Sequence, residues 1–567
     1  MERMDWRFPL LLFLLIACCY APGLAALPAH DDQLLTREIL GPPSVPALLG
    51  RFLDPVRPHA AGIPMPNYAY RPLTELSFSI NLAGGFASLR VVNLLLHGGA
   101  CLAVLWLVGL LFPAEPDLAR WAAAFFALHP LAVTAVTYVY QRAASLEALL
   151  AFLTMGLYWS ARGGKARGGR SVGALACGLL ATMAKETGAT LPLMLAVLEW
   201  ILRDPAEPVR AIGKRWLPFL LLPALVLLQA LRASACTVAV PGPRESLFRP
   251  GSAGLTPLAY FLGELPVLAH YLRLSVFPFP RHFLYDPDAA GLMPRFAAAA
   301  LLTGLVGLVL LGPASWRLFR LGLGLFLAPL ALESSFLPIR DIAFDHRCYP
   351  ALLGAALLFA WGVTRVMGGL RRLLALPSLA LLALLTLGAN RDWTDSRRLL
   401  GADVRGASRN PTAWSNEASW RLDTGHPESA LALCRRARCL PRQESGVWVG
   451  EARALSALGR REEARRVLDE ALSHLPRDPD LLWSAVLEAK SGGGKDAGEE
   501  ERLEALACRG EGEGMEELRI EMVIWLARRR MSQGRPEDAL RILTRHEGRY
   551  PHNVTLREHL AWVRRSP

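Results

Sequence analysis

Two adjacent carboxylates, Asp31 and Asp32, sit in "LPAHDDQLLTREI" (27–39), directly after an apolar run that begins at Phe8. A carboxylate can take the proton of a hydroxyl nucleophile, so an acidic pair beside an apolar segment is a candidate general base. More charged residues stand at similar edges. "YRPLTELSFSIN" (70–81) carries Arg71 and Glu75, "HP" carries His129, and Arg142 and Glu147 follow it. "AKETG" carries Lys185 and Glu186, "FLYDPD" carries Asp286, and "IRDIAFDHRCYP" (339–350) carries Arg340, Asp341, Asp345, His346 and Arg347. Cations and carboxylates gathered at one interface suit a cavity that holds a phosphate beside a general base. Local alternatives stand beside this reading. Asp31 and Asp32 could open a loop helix as N-cap residues, and Lys185 and Glu186 could neutralise one another at a helical hairpin. Asn93 and His97, four apart, share a helix face and suit hydrogen bonds between helices.

The elements that must position these groups are apolar helices. The chain has 567 residues, 52% of them hydrophobic and 20% charged, with mean hydropathy +0.27. That balance fits a polytopic membrane protein with a soluble part, and the net charge of +12 belongs to short loops between apolar runs, not to a nucleic-acid surface. No zinc-type cysteine spacing occurs, and Cys434 and Cys439 in the soluble part could pair locally. A bilayer core asks for about 20 apolar residues per helix, which gives about eleven spans. They lie near 8–27, 89–112, 121–140, 143–161, 171–184, 187–202, 216–231, 294–312, 321–338, 348–364 and 373–389. The first run is read as an uncleaved span, and 257–279, with Glu264, His270 and Arg273, as an amphipathic helix at the interface.

Orientation follows from the basic loops. "RGGKARGGR", "RDPAEPVRAIGKR", "SWRLFR" and "RVMGGLRR" fall on the same side as the N-terminus, which the positive-inside rule makes cytoplasmic. The large first loop 28–88, the corners at 141 and 185, and everything after Asn390 then lie outside, with all the candidate site residues. A charge at the centre of a membrane helix costs about 2.5–3.5 kcal/mol on insertion scales, so such groups mark function or pairing. After Asn390 the composition turns soluble and a repeat appears. Trp414, Gly425, Ala430 and Ala437 recur 34 residues later as Trp448, Gly459, Ala464 and Ala471, and Gly534, Ala539, Leu543 and Pro551 repeat the internal spacing. This is the tetratricopeptide pattern, a helical solenoid that commonly binds a peptide or a partner protein. The expected organisation is a membrane domain over 1–390 and an extracytoplasmic repeat domain over 391–567.

These motifs also carry a resemblance. "HDDQ", "YRPLTELSFSINLAGG", "RVVNLLLHGG", "ALHPLAVTAVTYVYQRAASLEALLAFL", "AKETGATLPLMLAVLEW", "FDHRCYPALLG" and "RDWTDSRRLL" occur in order along the chain. Together they resemble the transmembrane and tetratricopeptide repeat-containing family of O-mannosyltransferases and its bacterial relatives. "QRAASLE" departs from the family in placing Glu147 later than the usual acidic residue, and "DHRCYP" departs in carrying Cys348. The resemblance implies an all-α, polytopic membrane glycosyltransferase domain of GT-C type followed by a tetratricopeptide-repeat α-solenoid. It further implies transfer of a mannose-like sugar from a polyprenyl-phosphate carrier to Ser or Thr hydroxyls of extracytoplasmic proteins at a bacterial cell membrane. Asp31 is then the base, with Asp32 positioning the acceptor or exchanging roles with it, and Arg347, supported by Arg142 and Lys185, binds the donor phosphate. Arg71, Glu75, His129, Glu186, Asp286, Asp345 and His346 complete the candidate set. No cofactor or metal is expected, because cations can stabilise an anionic phosphate leaving group. Three rivals remain: a transferase acting on a lipid or glycan, a non-catalytic scaffold that recruits envelope proteins, and, more weakly, a transporter, which the one-sided polar residues and the lack of a visible inverted repeat disfavour. A periplasmic reporter such as alkaline phosphatase, fused after Asn390, is expected to be active, and activity only of a cytoplasmic reporter there would reverse the orientation.

Overall fold

The computed structural model describes residues 6–26, 28, 32, 35, 71–81, 84–163, 167–239, 256–285, 295–336, 343–365, 370–441, 444–475, 478–491, 504, 516–548 and 553–565. Every element among them is helical. The chain divides into two compact units, Met1–Ser234 with Glu245–Gly406, and Ala235–Arg244 with Ala407–Pro567.

The first unit is a bundle built from the apolar runs. Its helices are α1 (Arg7–Leu24), α2 (Pro72–Asn81), α3 (Gly85–Leu111), α4 (Pro116–Leu128), α5 (Arg142–Ser160), α6 (Arg167–Ala184), α7 (Leu191–Leu202) and α8 (Val209–Trp216). There follow α9 (Leu221–Ala239), α10 (Pro257–Val276), α11 (Arg295–Leu311), α12 (Arg317–Leu330), α13 (Cys348–Arg365), α14 (Leu370–Asp392) and α15 (Ser396–Gly406). Large apolar side chains stand exposed along several of them, among them Leu10, Leu11 and Leu14 of α1, Phe296 and Leu311 of α11, and Leu373, Leu381 and Leu384 of α14. Apolar faces without protein cover suit a hydrocarbon surround.

Among the described residues, six segments are long and apolar enough to cross a membrane: Arg7–Leu24, Gly85–Leu111, Val139–Ser160, Val209–Gln229, Asp345–Arg365 and Leu373–Asp392. Two bent pairs raise this to eight, Pro116–Leu128 with Pro130–Val136 at 53° and Arg295–Leu311 with Ala314–Leu330 at 106°. The expectation of about eleven, one per ~20-residue apolar run, therefore counts runs that fold as shorter or broken pieces. α7 has only 12 residues, α6 spends its first turn on Arg167, two glycines and Arg170, and the 121–140 run breaks at His129, whose backbone is extended before Pro130. α10 buries Tyr260 and most of its second half, including Glu264, His270 and Tyr271, and is absent from the spanning set.

Polar side chains join the helices. His97 Nδ1 lies 2.7 Å from the Tyr349 hydroxyl and its Nε2 3.2 Å from Ala127 O. Asn93 donates to Val136 O at 3.0 Å, Thr386 to Leu128 O at 2.7 Å, and Asn390 to Cys19 O at 3.1 Å. Such bonds satisfy polar groups that lipid cannot. At the C-terminal end of α7, Glu199 and Glu207 form a closed ring with Arg162 and Arg215, with contacts of 2.6–2.8 Å. α12 and α13 meet backbone to backbone. A Cβ on Gly354 would lie 2.2 Å from Phe326 N and 2.3 Å from Gly322 O, so only a glycine permits this approach.

The second unit stacks helix pairs: α16 (Pro411–Asp423) with α17 (Pro427–Arg438), α18 (Ser445–Ala457) with α19 (Arg461–His474), then α20 (Pro479–Ser491). Ala430, Ala437, Ala464 and Ala471 are buried where the helices cross, and Gly425 and Gly459 close the two turns at φ 80° and 75°, a region that costs other residues about 1–2 kcal/mol. α21 (Glu516–Ser532), α22 (Pro536–Glu547) and α23 (Val554–Arg565) share a separate core around Val523, Leu526 and Leu543. Cys434 is buried and Cys439 exposed, both as free thiols. The local disulfide is not formed in this structure, where Cys439 lies just past the end of α17.

Gly354→Ala is expected to lower stability by about 1–3 kcal/mol through overpacking. Gly362→Ala, in the same helix with open space around it, should be neutral or slightly stabilising. Thermal unfolding of the two variants in detergent compares them directly.

Candidate active site

Four chain corners bring opposite charges together. Arg71 precedes α2, whose Thr74 hydroxyl donates to Ala184 O at 2.8 Å and so pins α2 to the end of α6. Lys185 and Glu186 follow α6, and the 3-10 turn Glu186–Thr190 leads into α7. Glu333 lies just beyond α12, and Arg347 ends the 3-10 turn Asp345–Arg347 that opens α13. Lys185 Nζ lies 3.0 Å from Glu333 Oε1, and Arg347 Nε lies 3.8 Å from the same oxygen. Arg71 grips Glu186 with two bonds, Nε to Oε2 at 2.9 Å and Nη2 to Oε1 at 2.6 Å. Burial alone would raise the Glu186 pKa, but the Arg71 charge and hydrogen bonds outweigh it, and with Lys185 they hold it down at about 2. Lys185 and Glu186 thus each take a distant partner, Glu333 for Lys185 and Arg71 for Glu186.

More acidic groups surround this core. Glu264 of α10 accepts the Ser334 hydroxyl at 3.0 Å, and Tyr260 on the same helix donates to Glu333 O at 2.9 Å. Glu147 of α5 lies within electrostatic reach of Lys185, Glu333 and Glu186, and His346 within reach of Lys185, Arg347 and Arg71. Four buried polar atoms here have no hydrogen-bond partner among the described residues: Glu147 Oε2, Thr187 Oγ1, Glu264 Oε1 and His346 Nδ1. Native structures leave few buried polar groups unpaired, so their concentration beside three cations marks a place built to meet something polar. Glu333, at its centre, escapes a reading of sequence motifs. The only signal is a lone carboxylate closing the apolar run "LGLGLFLAPLALESSF".

The remaining candidates divide. Asp32 is fully buried; its Oδ1 accepts the Tyr140 N–H at 2.8 Å, and its Oδ2 lies 4.0 Å from Arg90 Nη2. Asp345 accepts the Tyr285 hydroxyl at 2.5 Å, and His346 stacks on Phe344. Glu75 is half-buried on α2. Asp31, Asp286, Arg340 and Asp341 lie outside the described residues. Two candidates require correction. Arg142 is buried and donates to Asn93 Oδ1 at 2.6 Å, Ser77 O at 2.9 Å, Asn81 Oδ1 at 2.9 Å and Leu89 O at 2.8 Å. With its guanidinium also over the Phe78 ring, it ties α2, α3 and α5 together and is not poised to support a donor phosphate. His129 is occupied as well: Nδ1 accepts the Leu131 N–H and Nε2 meets Ser275 O. It caps a turn and joins α10.

Nearby, Asp403 of α15 accepts the backbone N–H groups of Phe283 and Leu284 at 2.7 and 3.2 Å, fixing the segment that carries Tyr285. Burial pushes its carboxyl up, to about 7, against the pull of those two N–H groups. In the second unit, Arg435, Arg438, Arg466, Glu451 and Glu463 line a cavity of about 490 Å³.

Comparison with protein-family models matches the tetratricopeptide repeat over residues 421–486. That stretch is a tetratricopeptide repeat segment. Comparison with curated proteins gives no match. Among solved structures, this chain is similar to arabinofuranosyltransferase AftD from Mycobacteria, with TM-score 0.35 and 16% identity over 75% of this chain and 29% of that one. It is also similar to ArnT from Cupriavidus metallidurans bound to undecaprenyl phosphate, with TM-score 0.38 and 13% identity over 81% of this chain and 79% of that one. The chain spans less than a third of the length of AftD.

Glu333→Ala leaves Lys185 and Arg347 buried without their shared carboxylate and is expected to cost about 3–5 kcal/mol. Adding Lys185→Met should cost less than the two changes made separately, since the residues form one network. Unfolding midpoints of the three variants check both statements.

Proposed function

We propose that this chain is a membrane glycosyltransferase that moves a sugar from a polyprenyl-phosphate carrier to a hydroxyl of an extracytoplasmic protein. The observation that carries the reading is that Lys185 and Arg347 converge on one carboxylate oxygen. Two cations arranged around a single acidic oxygen can exchange it for the oxygens of a phosphate, which offers the same charge and acceptor geometry. The family resemblance of the motifs holding these residues supplies the reaction class. Mannose or a mannose-like hexose is the proposed sugar, and a Ser or Thr side chain the proposed acceptor.

In the proposed reaction the acceptor oxygen attacks the anomeric carbon as its proton passes to a carboxylate. The bond from that carbon to the phosphate oxygen breaks, and the electron pair leaves with the phosphate, held by Arg347 and Lys185. Asp31 is the proposed base. Its neighbour Asp32 has one oxygen committed to the Tyr140 backbone and the other near Arg90, which suits a positioning role better than proton transfer. The guanidinium of Arg347 can bind two phosphate oxygens at once, while Lys185 contributes a point charge. The repeats are the proposed acceptor-binding part, and the charged lining of their cavity suits a polar peptide. The protein is placed by this reading in a bacterial cell membrane, with its N-terminus cytoplasmic and its repeats outside.

The test uses purified protein in lipid, a polyprenyl-phosphate mannose and a Ser/Thr peptide. Asp31→Asn is expected to bind donor normally and to lose about a hundred- to ten-thousand-fold in rate, the usual range for general-base removal. Arg347→Ala should weaken donor binding, with Arg347→Lys restoring it in part. EDTA should leave the rate unchanged. Full activity in Asp31→Asn overturns the assignment of the base, and no transfer by the intact protein to any peptide favours a lipid acceptor or a scaffold.

A further inference from the structure

Two carboxylates flank the Lys185–Glu333–Arg347 group without being used up by it. Glu147 and Glu264 are both almost wholly buried, at 1% and 0% exposure. Each keeps an oxygen, Oε2 of Glu147 and Oε1 of Glu264, without a hydrogen-bond partner among the described residues. They face the group from different elements, Glu147 from α5 within electrostatic reach of Lys185 and Glu264 from α10 within that of Arg347. Ser334, next in sequence to Glu333, satisfies only the other oxygen of Glu264.

A carboxylate in ionised form accepts hydrogen bonds and donates none. A protonated carboxyl can also donate one, so the missing partner of each buried oxygen is a polar group able to donate and accept. An ionised phosphate diester has no hydrogen to give, and the nearby cations already have acceptors in Glu333 and Glu186. A sugar ring, by contrast, presents several hydroxyl donors within a few ångströms of its phosphate. We propose that Glu147 and Glu264 are the sugar-reading residues of this site, accepting hydrogen bonds from ring hydroxyls while Arg347 and Lys185 hold the phosphate. This rests on the glycosyltransferase reading above and adds a specificity to it. The substrate class is a neutral, polyhydroxylated sugar. A uronic acid is disfavoured, because its carboxylate would enter a site already rich in carboxylates.

The experiment measures equilibrium binding of two carriers to the full chain in lipid nanodiscs, undecaprenyl phosphate and undecaprenyl-phosphate mannose. Wild-type protein should prefer the mannosylated carrier. Glu147→Gln and Glu264→Gln should each weaken binding of that carrier by about tenfold or more, as expected when a charge-assisted hydrogen bond is lost, and should leave the bare carrier within about twofold. Equal affinity of variants and wild type for the mannosylated carrier overturns the proposal. So does a loss that is the same for both carriers, which would make the two carboxylates structural. Binding of neither carrier by the wild type instead overturns the glycosyltransferase reading itself, and this proposal with it. If a variant fails to fold, deoxy-mannose carriers decide the matter on the wild-type protein. At least one deoxy position should cost about tenfold or more, because a site built around a hydroxyl leaves its own polar group unpaired when that hydroxyl is missing. Uniform binding across the deoxy series overturns the proposal.

Discussion

One carboxylate holds the cluster together. Glu333 accepts Lys185 directly and stands near Arg347, so one carboxylate oxygen faces two buried cations. Two cations brought close in a medium poorer than water repel strongly, and the helices bearing them, α6 and α13, would be driven apart without it. The arrangement is also a poised one. The group that keeps the cations together is itself an anion, and in the proposed function a phosphate takes its place.

Around this core, much of the polar chemistry is scaffolding. Arg142 spends its donors on three backbone or amide acceptors of α2 and α3 and a fourth at Leu89. Asp32 holds the turn at Tyr140, and Asp403 holds the segment at Phe283 and Leu284. Each is a charged group that replaces missing backbone partners where helices end, a need that arises wherever irregular backbone lies inside protein cover away from water. Charged residues near a membrane site are thus of two kinds. Some have their donors and acceptors consumed by the chain, and some retain atoms that the chain leaves unanswered.

That division explains what the sequence reveals. The repeats are legible because their period is local: Trp414, Gly425 and Ala430 return after 34 residues, and neighbouring units stack. Asn93 and His97 are legible as a pair because four residues make one helix turn. The gathering of Arg71, Lys185, Glu186 and Arg347 can be read from their positions at apolar edges. Their pairing cannot, since Lys185 meets a residue 148 positions away and Glu333 belongs to no motif. Arg142 looks the same in sequence as Arg347, and only the location of backbone carbonyls separates them. Span counts from hydropathy and from helix length differ for a related reason. Hydropathy measures the apolar character of a run, whereas the break at His129 and the shortness of α7 depend on dihedral angles and helix ends.

The contact between Gly322 and Gly354 has a mechanical meaning. With backbone against backbone, there are no compliant side chains between α12 and α13 to absorb sliding or rotation, so the two helices have almost no independent freedom. Glu333 follows one and Arg347 leads the other. Across the charged group Lys185 precedes a short 3-10 turn and Arg71 a ten-residue helix. The cations are thus presented by short elements on one side and by a close-packed helix pair on the other.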